Sequence, residues 1–248
     1  MVRLRRCVCL LGRRGRTRSL ALARTGLASF PIPDSSPLPS PVPLPLPYIT
    51  FAYAFAYAYS PGMMNTNLTQ IFSESRPLIG MIHLLPLPGA PRWEGSMDAV
   101  LERALDDARS IVQGGMDGII VENFLDAPFY PGSVPAETVA ALSVVVREVV
   151  LSVAVPVGVN VLRNDAMAGL AIAAATGARF VRVNVHTGVM LGDQGWLHGE
   201  AHETVRLRKR LGVEAAILAD VMVKHATPPP GLELAQAHRR LGSAVTVI

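Results

Sequence analysis

From Ile79 onward, apolar strand-like runs alternate with helix-like segments at a steady spacing. Few folds accept that pattern. A strand, a helix and a further strand in regular succession make a parallel α/β layer structure. The runs read as strands are Leu78–Leu84, Gly118–Asn123, Val157–Leu162, Phe180–His186, Ala216–Val221 and Val245–Ile248. Helical stretches are expected near Met97–Gln113, Ala136–Leu151, Asp165–Thr176, Ala201–Leu211 and Leu232–Leu241. Ser96 and Asp165 stand where helices should be capped, and Gly114, Gly177 and Gly212 where they should stop. Each unit takes about 33 residues, and eight such units make a (β/α)8 barrel of roughly 250 residues. The 186 residues from Met63 onward supply five units and the start of a sixth strand. The expected fold is therefore α/β, a (β/α)8 TIM-type barrel that is C-terminally incomplete after about five and a half units.

One polar or charged residue recurs where each apolar run should simply end. In Phe180–His186 the valines 181, 183 and 185 fall on one face, and Arg182, Asn184 and His186 on the other. A parallel strand covered on both sides should be apolar throughout. A polar face on such a strand predicts a lined cavity. His83, Glu122, Asn160 and Asp220 occupy comparable positions in the neighbouring runs. In a barrel, strand C-termini converge on one mouth, where catalytic groups gather.

Catalytic roles fall to His83, Glu122 and Asp220, with the two carboxylates as general acid and base or as hard-oxygen ligands of a divalent cation. Asn160 and Asn184 would orient a substrate, while Arg182 and His186 supply donors for an anionic one. The alternative for any single residue is a hydrogen-bonded barrel-end side chain. The loops add Asp193, within Asp193-Gln194-Gly195 of a long segment 187–200 read as a lid, and Lys224 as a phosphate contact or Schiff-base amine. Residues 123–132 and Arg163-Asn164-Asp165 follow the second and third strands. The cluster His198, Glu200, His202 and Glu203 lacks the HExxH order of zinc proteases.

Charge is divided unevenly. Residues 1–33 hold eight arginines and no acid, whereas residues 34–248 hold 15 Lys+Arg against 19 Asp+Glu. The folded region is acidic on balance, which argues against nucleic-acid binding. Residues 1–62, with the Pro31–Pro47 tract and both cysteines (Cys7 and Cys9), are expected to form a disordered arm outside the barrel of residues 63–248. The arm is either an organelle transit peptide, which would imply a mitochondrion or plastid, or an overextended reading of the gene. The second fits its proline and Ala/Tyr tracts better and places the chain in the cytoplasm. The aromatic tract at 50–59 is too short to cross a bilayer as a helix.

Several blocks in fixed order resemble the BtpA/SgcQ family. They are Gly80 to Gly89 (GMIHLLPLPG), Asp117 to Asn123 (DGIIVEN) with Ala127-Pro128-Phe129, Gly158 to Asp165 (GVNVLRND), Arg182 to Gly188 (RVNVHTG), Asp193-Gln194-Gly195, Ala219-Asp220-Val221 and Lys224-His225-Ala226. The resemblance covers roughly residues 78–248. It implies a barrel of the ribulose-phosphate-binding type and a small phosphorylated metabolite as ligand. Cyanobacterial members are linked to photosystem I accumulation at the thylakoid surface, which implies peripheral membrane or photosystem association and, as the alternative to an enzyme or binder, a non-enzymatic assembly or stability factor; an inactive truncated fragment is the third expectation. A second copy of the chain is a further expected partner. The loops after strands seven and eight, where such barrels usually hold phosphate, have no counterpart in these residues.

Overall fold

The computed structural model describes residues 68, 70–241 and 246–247, the last two by backbone alone. The expected arm at 1–62 lies outside the described residues. Among the described residues eight strands and five longer α-helices follow in order, with a short 3-10 turn at Phe124–Asp126 after β2: β1 (Ile79–His83), α1 (Met97–Gln113), β2 (Gly118–Glu122), α2 (Ala136–Ser152), β3 (Val157–Asn160), α3 (Ala166–Thr176) and β4 (Phe180–Val183). Then come β5 (Val189–Gly192), β6 (Gly195–His198), α4 (Ala201–Leu211), β7 (Ala216–Ala219), α5 (Leu234–Leu241) and β8 (Thr246–Val247).

Six strands form one sheet in the order β1-β2-β3-β4-β7-β8, and all its pairings are parallel. β1, β2, β3 and β7 are each followed by an α-helix, and β4 reaches its helix α4 through an inserted pair of strands, an alternation like that of a (β/α)8 barrel. The sheet is not closed among the described residues, since β1 and β8 each have one neighbour. The segment expected to be an irregular lid at 187–200 instead contains an antiparallel hairpin, β5-β6, with Asp193 and Gln194 at its turn. It is inserted between β4 and α4. Leu191 and Thr227 join it to the loop after β7 by reciprocal backbone hydrogen bonds of 2.9 and 2.7 Å.

Strand alternation sorts the core into two layers. Ile82, Val121, Val159, Val181, Val183, Ile217 and Ala219 face outward and pack under the helices. On α1 this face is met by Val100, Ala104 and Ala108, spaced four apart. Ser96 Oγ caps α1 by accepting from the Ala99 amide, and Asp165 caps α3 by accepting from Ala168. Gly177 and Gly212 end α3 and α4 in the left-handed region that glycine favours.

The opposite layer is built from Ile79, Ile120, Phe180, Ala216 and Leu218, with Met81 partly buried beside them. Phe72 closes its lower end, with its ring centroid 5.5 Å from that of Phe180. Gly158 makes room for the Phe180 ring, which any Cβ at 158 would overlap. Above this apolar floor, on the same face, the strands turn polar.

Candidate active site

Register sets the polar layer. His83 pairs with Glu122 across β1 and β2, and Glu122 pairs with Asn160 across β2 and β3. Asp220 follows β7 directly, and its amide donates to Val183 O at 3.1 Å, which brings it beside the end of β4. The register puts His83, Glu122, Asn160 and Arg182 at one level and Asn184 with Asp220 one step further along, so that six side chains meet on one face.

They form a continuous network. His83 Nε2 lies 3.2 Å from Glu122 Oε2. Asn160 Nδ2 donates to Glu122 Oε1 at 2.6 Å and reaches Asn184 Oδ1 at 3.4 Å. Asn184 Nδ2 donates to Asp220 Oδ2 at 3.0 Å. Arg182 donates from Nε to Asp220 Oδ1 at 3.0 Å and from Nη2 to Oδ2 at 3.1 Å. Its Nη1 lies 3.8 Å from Glu122 Oε1. Both amides have their orientation dictated by the carboxylates, since only the NH2 end can face an anion. Glu122, Asn160, Asn184 and Asp220 are all buried. Two carboxylates survive there because a guanidinium and two amides satisfy them.

His83 is the member closest to solvent, its side chain 19% exposed. Its ring stacks on exposed Phe124 at 4.3 Å between centroids. Glu122 behind it and Phe124 beside it fix the imidazole as an oriented proton donor or acceptor, the arrangement that acid/base chemistry needs.

Bracing residues surround the network, and periodicity gives no hint of them. Asn123 receives the Leu162 amide on Oδ1 at 2.8 Å and donates from Nδ2 to Asp126 Oδ2 at 3.0 Å. Asp126 in turn accepts from the Leu87 amide at 2.8 Å, tying the loops after β1, β2 and β3 together. Burial pushes the Asp126 carboxyl up, while the Leu87 amide and Asn123 pull it down. Asn164 accepts from the Val185 amide at 2.8 Å and donates to Val185 O and His198 O, both at 3.0 Å. It thereby fastens the base of the hairpin to the end of β4.

Three expected residues lie on segments beyond the ends of β4 and β7. His186 is buried, but β4 ends at Val183, so the alternation that should align it with Arg182 and Asn184 is broken. The charge that acts on it is Arg208 of α4, and burial followed by that charge lowers its pKa to about 4. Burial and that charge both disfavour the protonated His186 ring. Asp193 is exposed at the hairpin turn, although its charge acts on Arg163. Lys224 is exposed on the loop after β7. A divalent cation also fits Glu122 and Asp220 poorly, because the Arg182 guanidinium stands between the two carboxylates. Among the described residues no three His, Cys, Asp or Glu side chains converge as metal ligands.

The BtpA family model matches residues 74–241. The chain belongs to the BtpA family. It is 53% identical over 162 residues to the photosystem I biogenesis protein BtpA of Synechocystis, a match covering 65% of this chain and 56% of the relative. An uncharacterised protein of Thermococcus kodakarensis is 48% identical over 177 residues, covering 70% and 67%. A Caenorhabditis elegans mitochondrial protein is 32% identical over 166 residues, covering 64% and 60%. The chain thus spans about three fifths of the length of the curated BtpA relatives it matches. The N-acetylmannosamine-6-phosphate 2-epimerase of Clostridium perfringens aligns with a TM-score of 0.32 at 13% identity, over 67% of this chain and 59% of the epimerase. No helix among the described residues is long and apolar enough to cross a membrane.

Proposed function

We propose that this mouth performs acid/base chemistry on a small, phosphorylated metabolite. The observation that carries the reading is the His83–Glu122 pair. A partly exposed imidazole is held 3.2 Å from a buried carboxylate, within a network drawn from five strands. His83 exchanges the proton with the ligand. Glu122 orients the ring and balances the imidazolium when it forms. Asn160 holds Glu122 in place, and Arg182 with Asp220 makes the rigid far wall of the site.

The test is deuterium exchange. The chain is incubated in heavy water with a panel of sugar and triose phosphates, and washout of carbon-bound hydrogen is followed by NMR. Exchange into one ligand, abolished by His83→Gln and by Glu122→Gln, is the expected result. Exchange that persists undiminished in both variants would overturn the assignment.

The similarity to the Synechocystis photosystem I biogenesis protein favours a second reading, in which the chain is a non-enzymatic assembly factor. Under that reading the partner docks on the outer surface and is indifferent to the mouth. Co-purification of the partner with Glu122→Gln at wild-type yield supports assembly. Its loss on that substitution returns the function to the mouth.

A further inference from the structure

We infer that Arg163 is the anion anchor of this mouth: its buried guanidinium, on the loop after β3, holds the oxyanion group of a small ligand over the layer formed by Glu122, Asn160, Arg182 and Asp220. The inference rests on the mouth being a small-molecule site and adds where the ligand's charge is held.

Arg163 is only 6% exposed, and its Nη2 makes no hydrogen bond. A buried guanidinium nitrogen without an acceptor is costly, since arginine cannot shed its charge as other cations do. The nearby acids are already committed. Asp220 is gripped by Arg182 and Asn184, and Glu122 accepts from Asn160 beside His83. Arg182 is likewise taken up by Asp220, whereas Arg163 Nη2 has no acceptor among the described residues.

The loop presets its position. The Arg163 amide donates to Tyr130 O at 3.1 Å. Asn164 is bonded to Val185 and His198, and Asp165 accepts from Val134 at 2.8 Å while capping α3. A backbone held this firmly leaves only the side chain to be ordered when a ligand arrives.

The electrostatics agree. Burial pushes the Arg163 pKa down, and Asp193, Asp220 and Glu122 oppose that, while Arg182 adds to it. The guanidinium therefore lies within the field of the polar layer. Asp193, the strongest of the attracting charges, stands exposed on the hairpin turn. A ligand oxyanion would take over its role as counter-charge. Phosphate monoesters and carboxylates share the required chemistry.

The experiment is calorimetric titration of the 248-residue chain with inorganic phosphate and, separately, acetate, beside the ligand-free melting temperature. Arg163→Met should weaken binding of the preferred probe at least tenfold without lowering the melting temperature. Arg163→Lys, which keeps the charge but loses the planar fork, should fall between. Preference for phosphate assigns a phosphate monoester, and preference for acetate a carboxylate. If Arg163→Met fails to fold, Arg163→Lys decides alone, and binding equal to wild type overturns the anchor. Equal binding by Arg163→Met and wild type, or binding of neither probe by wild type, also overturns it. Glu122→Gln separates this inference from the acid/base reading. Retained phosphate binding with lost deuterium exchange leaves both standing. Lost exchange with Arg163-independent binding removes the anchor alone.

Discussion

Arg182 holds Asp220 with two parallel hydrogen bonds of 3.0 and 3.1 Å, from β4 to the end of β7. The fork is planar on both sides, a geometry that arginine offers and lysine does not. Arg182→Lys should therefore keep the charge yet lose the second bond. Asp220→Asn leaves the guanidinium facing a neutral amide. Breaking a largely buried pair this way should cost about 3 kcal/mol, measured as a shift in the urea midpoint. A change under about 0.5 kcal/mol would mean that the pair is a surface-like contact.

His186 gives the protein an acid limb. Its folded pKa of about 4 lies below the roughly 6.5 of an unfolded histidine, so the unfolded chain binds more protons between those values. Stability is fully present above about pH 6.5 and declines as pH falls toward 4, by about 3 kcal/mol in all if nothing else titrates. His186→Leu should flatten this slope in urea melts at pH 5, 6 and 7. An unchanged slope in the variant assigns the acid limb to other groups.

Gly158 and Phe180 are matched in shape. Gly158→Ala drives a methyl into the Phe180 ring and should cost about 2 kcal/mol. Adding Phe180→Leu should recover part of that loss, giving a coupling of about 1 kcal/mol in a double-mutant cycle. Strict additivity would show that the two sites do not touch.

Asn123 is a buried brace, not a reacting group. Asn123→Ala leaves the Leu162 amide without its acceptor and should cost about 2 kcal/mol. In a chain of this size that is a drop of about 4–8 °C in melting temperature.

Asp193 competes with the ligand for Arg163. Asp193→Asn should tighten phosphate binding several-fold at low salt and have a smaller effect at 0.5 M salt, because an exposed charge is screened. Identical titrations for variant and wild type at both salt concentrations would place the turn outside the site's field.

The sequence made the sheet and its polar layer readable because both follow from a period of two. Once β1, β2, β3, β4 and β7 are placed, alternation alone sends His83, Glu122, Asn160, Arg182 and Asp220 to one face. Helix ends were equally plain, since Ser96, Asp165, Gly177 and Gly212 act through local chemistry. Arg163, Asn123 and Asn164 were not readable as site and brace, because their partners lie far along the chain and no periodicity marks them. The β5-β6 hairpin was missed because polar turn residues dominate 187–200, although Asp193-Gln194-Gly195 marks its turn. The strand read over Phe180–His186 ends at Val183, where the ladder stops, so the alternation does not by itself place His186. The sequence also pointed to a barrel by unit length, but closure depends on strands that the described residues do not contain.

The apolar floor of Phe72, Phe180 and Ile79 under the polar layer has a consequence for the strength of every charge above it. Hydrocarbon polarises weakly, so field lines from Arg163, Arg182 and the two carboxylates are not drained from beneath. They are channelled away from the floor, toward the ends of the strands. A molecule settling there would sense the whole group as if at the lens of a lamp, its brightness set by the dark backing as much as by the filament.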